Sequence, residues 1–136
     1  MMNQENLEKI LDAKLSNYFT QLEALQSIRY LFPEAVYLPT TRGWAGSPDF
    51  LLMLVELVII ERPKLIVELG SGVSSIVLGL ALNKFTNGRL VSIDHEVDFA
   101  QKTQGLLNAN KLNGAVDVKF CPLVKYHYDK RTWQWY

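Results

Sequence analysis

The sequence predicts an α/β fold in which a parallel sheet is flanked by helices and preceded by an N-terminal helical segment. Three short apolar runs, bounded by turn residues, alternate with stretches of helical periodicity. The runs cover residues 65–69, 89–94 and 115–120. Strands that alternate with helices of this length are typical of βαβ units, in which the strands are parallel. We therefore expect one sheet of three strands.

The first segment has the pattern of a long amphipathic helix over residues 4–30. Its apolar side chains recur at steps of four and three and form one stripe, namely Leu7, Leu11, Leu15, Tyr18, Leu22 and Leu25. This stripe packs either against the domain, or a part of it that the sequence lacks, or against a second copy of the chain as in a coiled coil. The sequence leaves these alternatives open.

A second helix is predicted to lead into the first strand. Proline and glycine residues break the helical pattern over residues 33–46, so residues 1–46 are expected to form a helix and its connecting loop. Ser47 followed by Pro48 is a typical helix start, with the serine as cap and the proline in the first turn. Residues 47–136 are therefore predicted to form an α/β half-domain.

The segment after the first strand carries the clearest functional signal. Residues 65–75 read Leu-Ile-Val-Glu-Leu-Gly-Ser-Gly-Val-Ser-Ser, a strand followed by a glycine turn and a helix start. The apolar strand is typical of a parallel strand that is covered on both faces. Gly70 and Gly72 allow a ligand to approach the main chain. Ser74 and Ser75 lie where a helix leaves its first amide groups unpaired. A nucleotide cofactor is the expected ligand of such a turn.

Glu68 indicates which nucleotide cofactor the turn favours. Dinucleotide folds hold a pyrophosphate at the helix N-terminus, where a carboxylate at the strand end would repel it. Ser75 also stands where the dinucleotide pattern requires its third glycine. S-adenosylmethionine instead carries an ammonium and a sulfonium group, which a carboxylate attracts. The charge therefore favours this methyl donor over NAD.

A second acid, Asp94, ends the next strand. Residues 89–95 read Arg-Leu-Val-Ser-Ile-Asp-His. Asp94 lies roughly twenty residues beyond the glycine turn, the spacing at which a second strand offers a carboxylate to ribose hydroxyls. Asp94 is therefore the predicted ribose ligand.

These residues together resemble the class I S-adenosylmethionine-dependent methyltransferases. Residues 68–72, Glu-Leu-Gly-Ser-Gly, look like the first motif of that family, and residues 91–95, Val-Ser-Ile-Asp-His, look like the acidic end of its second strand. The resemblance runs from about Pro48 to Leu123. It implies a Rossmann-like sheet and S-adenosylmethionine as the cofactor.

The resemblance also implies roles for individual residues. The two glycines would face the methionine part of the cofactor, Glu68 would hold its amino group and Asp94 would take the ribose. The family pattern has an acidic or polar residue near the adenine, after the third strand, whereas here that strand is followed by Cys121-Pro122-Leu123. The predicted cofactor-binding set is Glu68, Gly70, Ser71, Gly72, Ser74, Asp94, His95, Cys121 and Leu123.

The family sheet normally has seven strands, with the first strand in a central position. Against that pattern the sheet of this chain is truncated after its third strand. Residues 65–69 would then form an unpaired edge, and a hydrophobic edge invites pairing with another chain. The chain is then interpreted in one of two ways. It is a fragment of a longer enzyme, or its edge is covered by the terminal segment, the N-terminal helix or a second copy.

Methyl transfer to a small-molecule or saccharide-like acceptor is the function that the resemblance implies. The catalytic residues are not identified. His95 is interpreted as a strand cap or a neighbour of the adenine, and His127 as a loop residue, each in preference to a catalytic base. Neither histidine has metal-ligand spacing. Arg42 and Trp44 lie in a segment that is either a lid over the cofactor or a surface loop. The alternatives are a non-catalytic cofactor-binding or self-assembling module and, less favoured, an NAD-dependent oxidoreductase.

Composition narrows the class of protein further. The chain has 136 residues, 49% of them hydrophobic, which suffices for the core of one domain. Fourteen basic and fourteen acidic residues cancel, so no global field attracts nucleic acid or an anionic membrane. A single cysteine, no signal-peptide pattern and no long apolar stretch predict a soluble cytoplasmic protein. Its expected partner is a small-molecule acceptor, and a second copy bound through the N-terminal helix or the open sheet edge stays one of the alternatives above.

Overall fold

A computed structural model describes residues 3–136 of the chain. Within these residues the helices are α1 (Gln4–Leu31), α2 (Pro48–Glu61), α3 (Val73–Phe85) and α4 (Val97–Ala109). The strands are β1 (Leu65–Leu69), β2 (Arg89–Asp94), β3 (Val116–Phe120), β4 (Val124–Tyr128) and β5 (Arg131–Trp135). The predicted helix, loop and βαβ order along the chain is therefore confirmed.

The first three strands form one parallel sheet in the order β1-β2-β3. Leu65 is in register with Arg89, and Leu90 is in register with Val116. The order leaves β1 at an edge that no strand within residues 3–136 pairs, as the sequence predicted. The expected parallel sheet of three strands with flanking helices is thus confirmed.

Within residues 3–136, helices cover one face of this sheet and leave the other uncovered. The crossovers through α3 and α4 step in the same direction across the sheet, and right-handed crossovers therefore place both helices on one face. Leu90 and Ser92 of β2 point to that face and are fully buried. On the opposite face, Leu65 and Val67 are 59% and 58% exposed. The expectation that the first strand is covered on both faces is therefore wrong within the described residues.

The hydrophobic core lies between the covered face of the sheet and the helices. α3 is its centre, since residues 75–82 are all buried, with α2 packed against the same helix. The last turns of α1 join this core through Ile28 and the adjoining Phe32. The Phe32 ring meets Phe85 at the end of α3 edge to face, with 6.2 Å between centroids.

The first part of α1 extends outside this core. Its predicted apolar stripe is exposed at Leu7, Leu11, Leu15, Tyr18 and Leu22, and the buried residues of the helix are Ala24 and Ile28. Within residues 3–136 the stripe is thus not covered by the domain. Although α1 is 28 residues long, no helix in this described part of the chain is long and apolar enough to span a membrane.

Residues after β3 form an antiparallel hairpin that the sequence analysis did not predict. Val124 of β4 pairs with Trp135 of β5, and Tyr126 pairs with Trp133. Side chains at these alternate positions share one face of the hairpin, and all four are about half exposed. Trp133 and Trp135 therefore lie on this half-exposed face within the described chain.

Candidate functional site

The carboxyl ends of the three parallel strands meet at one edge of the sheet. Gly70 follows β1, and its N–H donates to the carbonyl of Ile93 at 2.7 Å. Cys121 follows β3, and its N–H donates to the carbonyl of Asp94 at 2.8 Å. Each loop is therefore hydrogen-bonded to the end of β2. Gly70 has a φ of +88°, a left-handed conformation that favours glycine over every residue with a side chain.

Asp94 joins the glycine turn to the end of β2. The Asp94 side chain is 4% exposed, and its Oδ2 accepts hydrogen bonds from the Ser71 N–H at 2.8 Å and the Ser71 hydroxyl at 2.6 Å. Its Oδ1 accepts from the N–H of Glu96 at 2.9 Å. The carboxylate therefore shapes the turn, while its contact with a ribose stays a prediction.

The ionised form of Asp94 is favoured by these contacts. Burial raises the pKa of Asp94, but the hydrogen bonds from Ser71 and Glu96, with the nearby charge of His95, outweigh it and lower the pKa below its ordinary value. A carboxylate that accepts several N–H and O–H donors is more stable charged than neutral. The site therefore keeps a negative charge beside the glycine turn at neutral pH.

Glu68 supplies a second carboxylate on the other side of the turn. Its Oε2 accepts hydrogen bonds from the hydroxyls of Ser75, at 2.5 Å, and Ser92, at 2.8 Å. The Ser75 hydroxyl also accepts the N–H of Gly72 at 3.1 Å. These contacts connect β1, the turn, α3 and β2 in one network.

A cavity of about 690 Å³ opens beside the glycine turn. The predicted residues that line it are Glu68, Gly70, Ser71, Gly72 and Ser74. Its other walls come from α2, α4 and the segment of residues 39–46, which supply Pro39, Thr40, Arg42, Gly43, Trp44, Ala45, Gly46, Phe50, Leu54, Phe99, Lys102, Thr103 and Leu106. The cavity therefore combines a carboxylate and main-chain groups with a largely apolar wall.

The segment of residues 39–46 lies beside the glycine turn. Arg42 and Trp44 of this segment line the cavity. The Trp44 side chain is fully exposed. This position agrees with either interpretation of the segment, as a lid or as a surface loop, and the lid stays a prediction. Arg42 and Lys102 bring positive charge to the cavity.

The remaining predicted residues do not line this cavity. Asp94 contacts the lining residue Ser71 but does not itself line the cavity. The side chains of His95, Cys121 and Leu123 do not line it either. His95 is exposed, and its Nδ1 lies 3.3 Å from the hydroxyl of Tyr136. The structure thus separates the predicted set into a cavity-lining group and a group at the ends of β2 and β3.

Ser92 and Thr103 belong to the site, although neither was predicted as a site residue. Thr103 of α4 lies 3.1 Å from the Ser71 hydroxyl, and both Ser92 and Thr103 are buried. A signal for Ser92 was present, because it is a polar residue within an apolar strand and shares a face with Asp94 two positions later. Within residues 3–136 no group of three His, Cys, Asp or Glu side chains is placed to hold a metal ion.

A parallel sheet with an acid near the end of its first strand, a glycine turn leading into a helix and a second acid on the next strand defines a class of protein. The class is the class I S-adenosylmethionine-dependent methyltransferase fold, and comparison with solved structures confirms the predicted resemblance.

Two solved structures carry this comparison. An O-methyltransferase from Bacillus cereus, in complex with S-adenosylhomocysteine, has a TM-score of 0.51 and 26% identity over 72% of this chain and 43% of its own. The O-methyltransferase TomG from Streptomyces achromogenes, involved in tomaymycin synthesis and in complex with S-adenosylmethionine, has a TM-score of 0.50 and 28% identity over 87% of this chain and 51% of its own.

A third structure supports the fold alone. It is a putative O-methyltransferase from Klebsiella pneumoniae with a TM-score of 0.54 and 22% identity, covering 80% of this chain and 50% of that protein. The chain thus spans about half the length of these proteins. No family model matches the sequence, and no curated protein matches it significantly.

Proposed function

We propose that this chain is the S-adenosylmethionine-binding half of a methyltransferase that acts on an oxygen atom of a small molecule. The observation that carries the proposal is the carboxylate of Glu68, which lines a cavity beside the glycine turn at the carboxyl end of a parallel sheet. Similar folds occur in O-methyltransferases that were crystallised with S-adenosylmethionine or S-adenosylhomocysteine.

The polar groups of the site suit this cofactor. Glu68 Oε2 is held by two serine hydroxyls, which leaves Oε1 as an acceptor for the ammonium group of the cofactor. Gly70 and Gly72 bring main-chain atoms to the cavity without a side chain in the way, since a Cβ atom at either position would meet nothing within 4 Å. Asp94 would keep the glycine turn in this shape and lie near the ribose of the bound cofactor. When bound, the cofactor supplies an electrophilic methyl group.

The acceptor is proposed to be a small molecule, either a planar apolar compound or a saccharide-like one, with a free hydroxyl group. The cavity supports an apolar acceptor, since Trp44, Phe50 and Phe99 lie on its walls. Methyl transfer depends mainly on holding the acceptor oxygen in line with the methyl group, so the main task of these walls is positioning.

Titration with S-adenosylhomocysteine by calorimetry tests the proposal, with Glu68→Gln as the informative variant. The wild-type chain is expected to bind at one site. Glu68→Gln is expected to bind roughly 10- to 100-fold more weakly, because it loses a charged hydrogen bond. Asp117→Asn is the control, since Asp117 is an exposed acid on β3 that does not line the cavity.

A well-folded wild-type chain that does not bind S-adenosylhomocysteine would contradict this cofactor assignment. Tighter binding of NADH than of S-adenosylhomocysteine would instead support the oxidoreductase alternative. The hydrogen-bond network around Glu68 argues against NAD. Ser75 stands where the dinucleotide pattern has its third glycine, and its hydroxyl donates a hydrogen bond to Glu68.

A second candidate function is a cofactor-binding module without turnover. The uncovered face of the sheet favours it, since β1 exposes Leu65, Val67 and Leu69 where a complete methyltransferase sheet would be packed on both sides. Transfer of a radiolabelled methyl group to small molecules of a cell extract separates the two functions. Label in a product supports the enzyme, and binding without any labelled product supports the module.

We further propose that two copies of the chain associate through the exposed stripe of α1. Leu11, Leu15, Tyr18 and Leu22 repeat at coiled-coil spacing and are all at least half exposed. Leu15→Glu is expected to shift the chain from dimer to monomer in sedimentation equilibrium, because a charge would be buried in the seam. Ser16→Glu, an exposed position beside the stripe, is the control. A wild-type chain that is monomeric at all concentrations would contradict the dimer.

A further inference from the structure

We infer that Ser75 and Ser92 are positioning residues that orient Glu68 for recognition of a ligand's amino group. The inference rests on the proposed function, because the ligand concerned is S-adenosylmethionine or its demethylated product. It adds two residues that act through Glu68 and do not themselves touch the cofactor.

Both serines have their hydroxyls on the same oxygen of Glu68. Ser75 and Ser92 are fully buried, and their hydroxyls lie 2.5 and 2.8 Å from Glu68 Oε2. The two hydroxyls are also 3.2 Å from each other. Ser75 and Ser92 come from α3 and β2, so the carboxylate is held from two directions.

This arrangement restricts the rotation of the carboxylate. A carboxylate on a flexible side chain can turn either oxygen towards a ligand, and ordering it on binding costs conformational entropy. With Oε2 engaged by two donors, Oε1 becomes the oxygen that is available to the cavity. The site is therefore ordered before the ligand arrives.

Hydroxyl donors also preserve the charge of Glu68. An arginine or lysine partner would orient the carboxylate as well, but it would neutralise the charge that attracts an ammonium group. Among residues 3–136, ion pairs are formed at Lys9–Glu5, His95–Glu96 and Lys119–Asp117, and none involves Glu68. The two neutral serines thus orient the acid and leave its full negative charge for the ligand.

Ser75 also connects Glu68 to the glycine turn. The hydroxyl that donates to Glu68 accepts the N–H of Gly72 at 3.1 Å. Movement of the turn is therefore coupled to the orientation of the acid. A hydroxyl at this position has a task that a glycine, as in the dinucleotide pattern, could not perform.

Two ligands distinguish positioning from a merely structural role. S-adenosylhomocysteine carries the amino-acid end that Glu68 would recognise, and 5′-methylthioadenosine lacks it. In Ser75→Ala and Ser92→Ala, affinity for S-adenosylhomocysteine is expected to fall roughly three- to tenfold, while affinity for 5′-methylthioadenosine stays within about twofold. Calorimetry measures both, and urea unfolding checks that each variant is folded.

Thr86→Ala is the matched control for lost stability. The Thr86 hydroxyl donates to the carbonyl of Leu82 at the other end of α3, away from the cavity. This variant should lose stability and keep the affinity ratio of the two ligands. The positioning role is refuted when Ser75→Ala weakens both ligands equally or changes neither.

A double-mutant cycle gives a second measurement. If Ser75 acts through Glu68, Ser75→Ala should have almost no further effect on S-adenosylhomocysteine binding in the Glu68→Gln background. Additive losses would overturn the inference and leave the proposed function standing. A folded wild-type chain that binds neither ligand would overturn both.

Discussion

Replacing Gly88 with alanine is expected to destabilise the domain by about 3 kcal/mol or more. Gly88 lies between α3 and β2 and is buried. A Cβ atom there would come within 2.1 Å of the carbonyl oxygen of Pro63 and 2.9 Å of a Leu82 methyl group. The main chain before β1 or the end of α3 would therefore have to move, and the entry into β2 would lose its packing.

Gly105→Ala is the matched control for this change. Gly105 is in the interior of α4, and a Cβ atom there would meet nothing within 4 Å. Because alanine favours a helix over glycine, this variant is expected to gain up to about 1 kcal/mol in unfolding free energy. Urea unfolding followed by circular dichroism measures both variants. Equal midpoints for Gly88→Ala and the wild type would show that the Pro63 contact is not restrictive.

Replacing Asp94 with asparagine is expected to cost about 2 to 3 kcal/mol of unfolding free energy at neutral pH. The carboxylate accepts two hydrogen bonds from Ser71 and one from Glu96. An asparagine has one oxygen acceptor in place of two. Its amide nitrogen, itself a donor, would therefore face either the donors of Ser71 or the N–H of Glu96. The glycine turn would be held less firmly, and S-adenosylhomocysteine binding should weaken in the same variant.

The cost of Asp94→Asn should depend on pH in a defined direction. The pKa of Asp94 is lowered in the folded chain, so its stabilising contribution is fully present above the unfolded value of about 3.9. It is lost as pH falls through the lower folded pKa. The difference between wild type and variant, measured by urea unfolding, should therefore be largest near pH 7 and shrink in acid.

Asp117→Asn serves as the comparison for this series, because Asp117 is an exposed β3 residue whose partner is Lys119 at the surface. Its effect on unfolding free energy should be within about 1 kcal/mol. An Asp94→Asn cost that stays constant from pH 7 to the acid limit would show that the charge of Asp94 is not what stabilises the turn.

The sequence by itself determined the order of helices and parallel strands and the position of the glycine turn. These features depend on local signals, such as the apolar runs of residues 65–69 and 89–94 and the Ser47-Pro48 helix start. It also determined that Glu68 and Asp94 lie at the same edge of the sheet, because parallel strands end on the same side. The carboxylate near the end of each of these strands could be predicted from the sequence alone.

The hairpin of β4 and β5 could not be predicted from such local signals. Its turn residues, Asp129 and Lys130, both have positive φ, yet the turn lacks the glycine that usually marks such a hairpin. Which faces are covered was also decided by the tertiary structure. The apolar residues of β1 look alike in sequence, but Ile66 is partly buried against the core, whereas Leu65 and Val67 are exposed.

Only the tertiary structure decided what the two acids contact. Asp94 bonds Ser71, and Glu68 bonds Ser75 and Ser92, across sequence separations of 23, 7 and 24 residues. Such pairs depend on the packing of α3 against β1 and β2, which no local pattern specifies. The sequence thus supplied the charges of the site, and the packing of distant segments set their orientation.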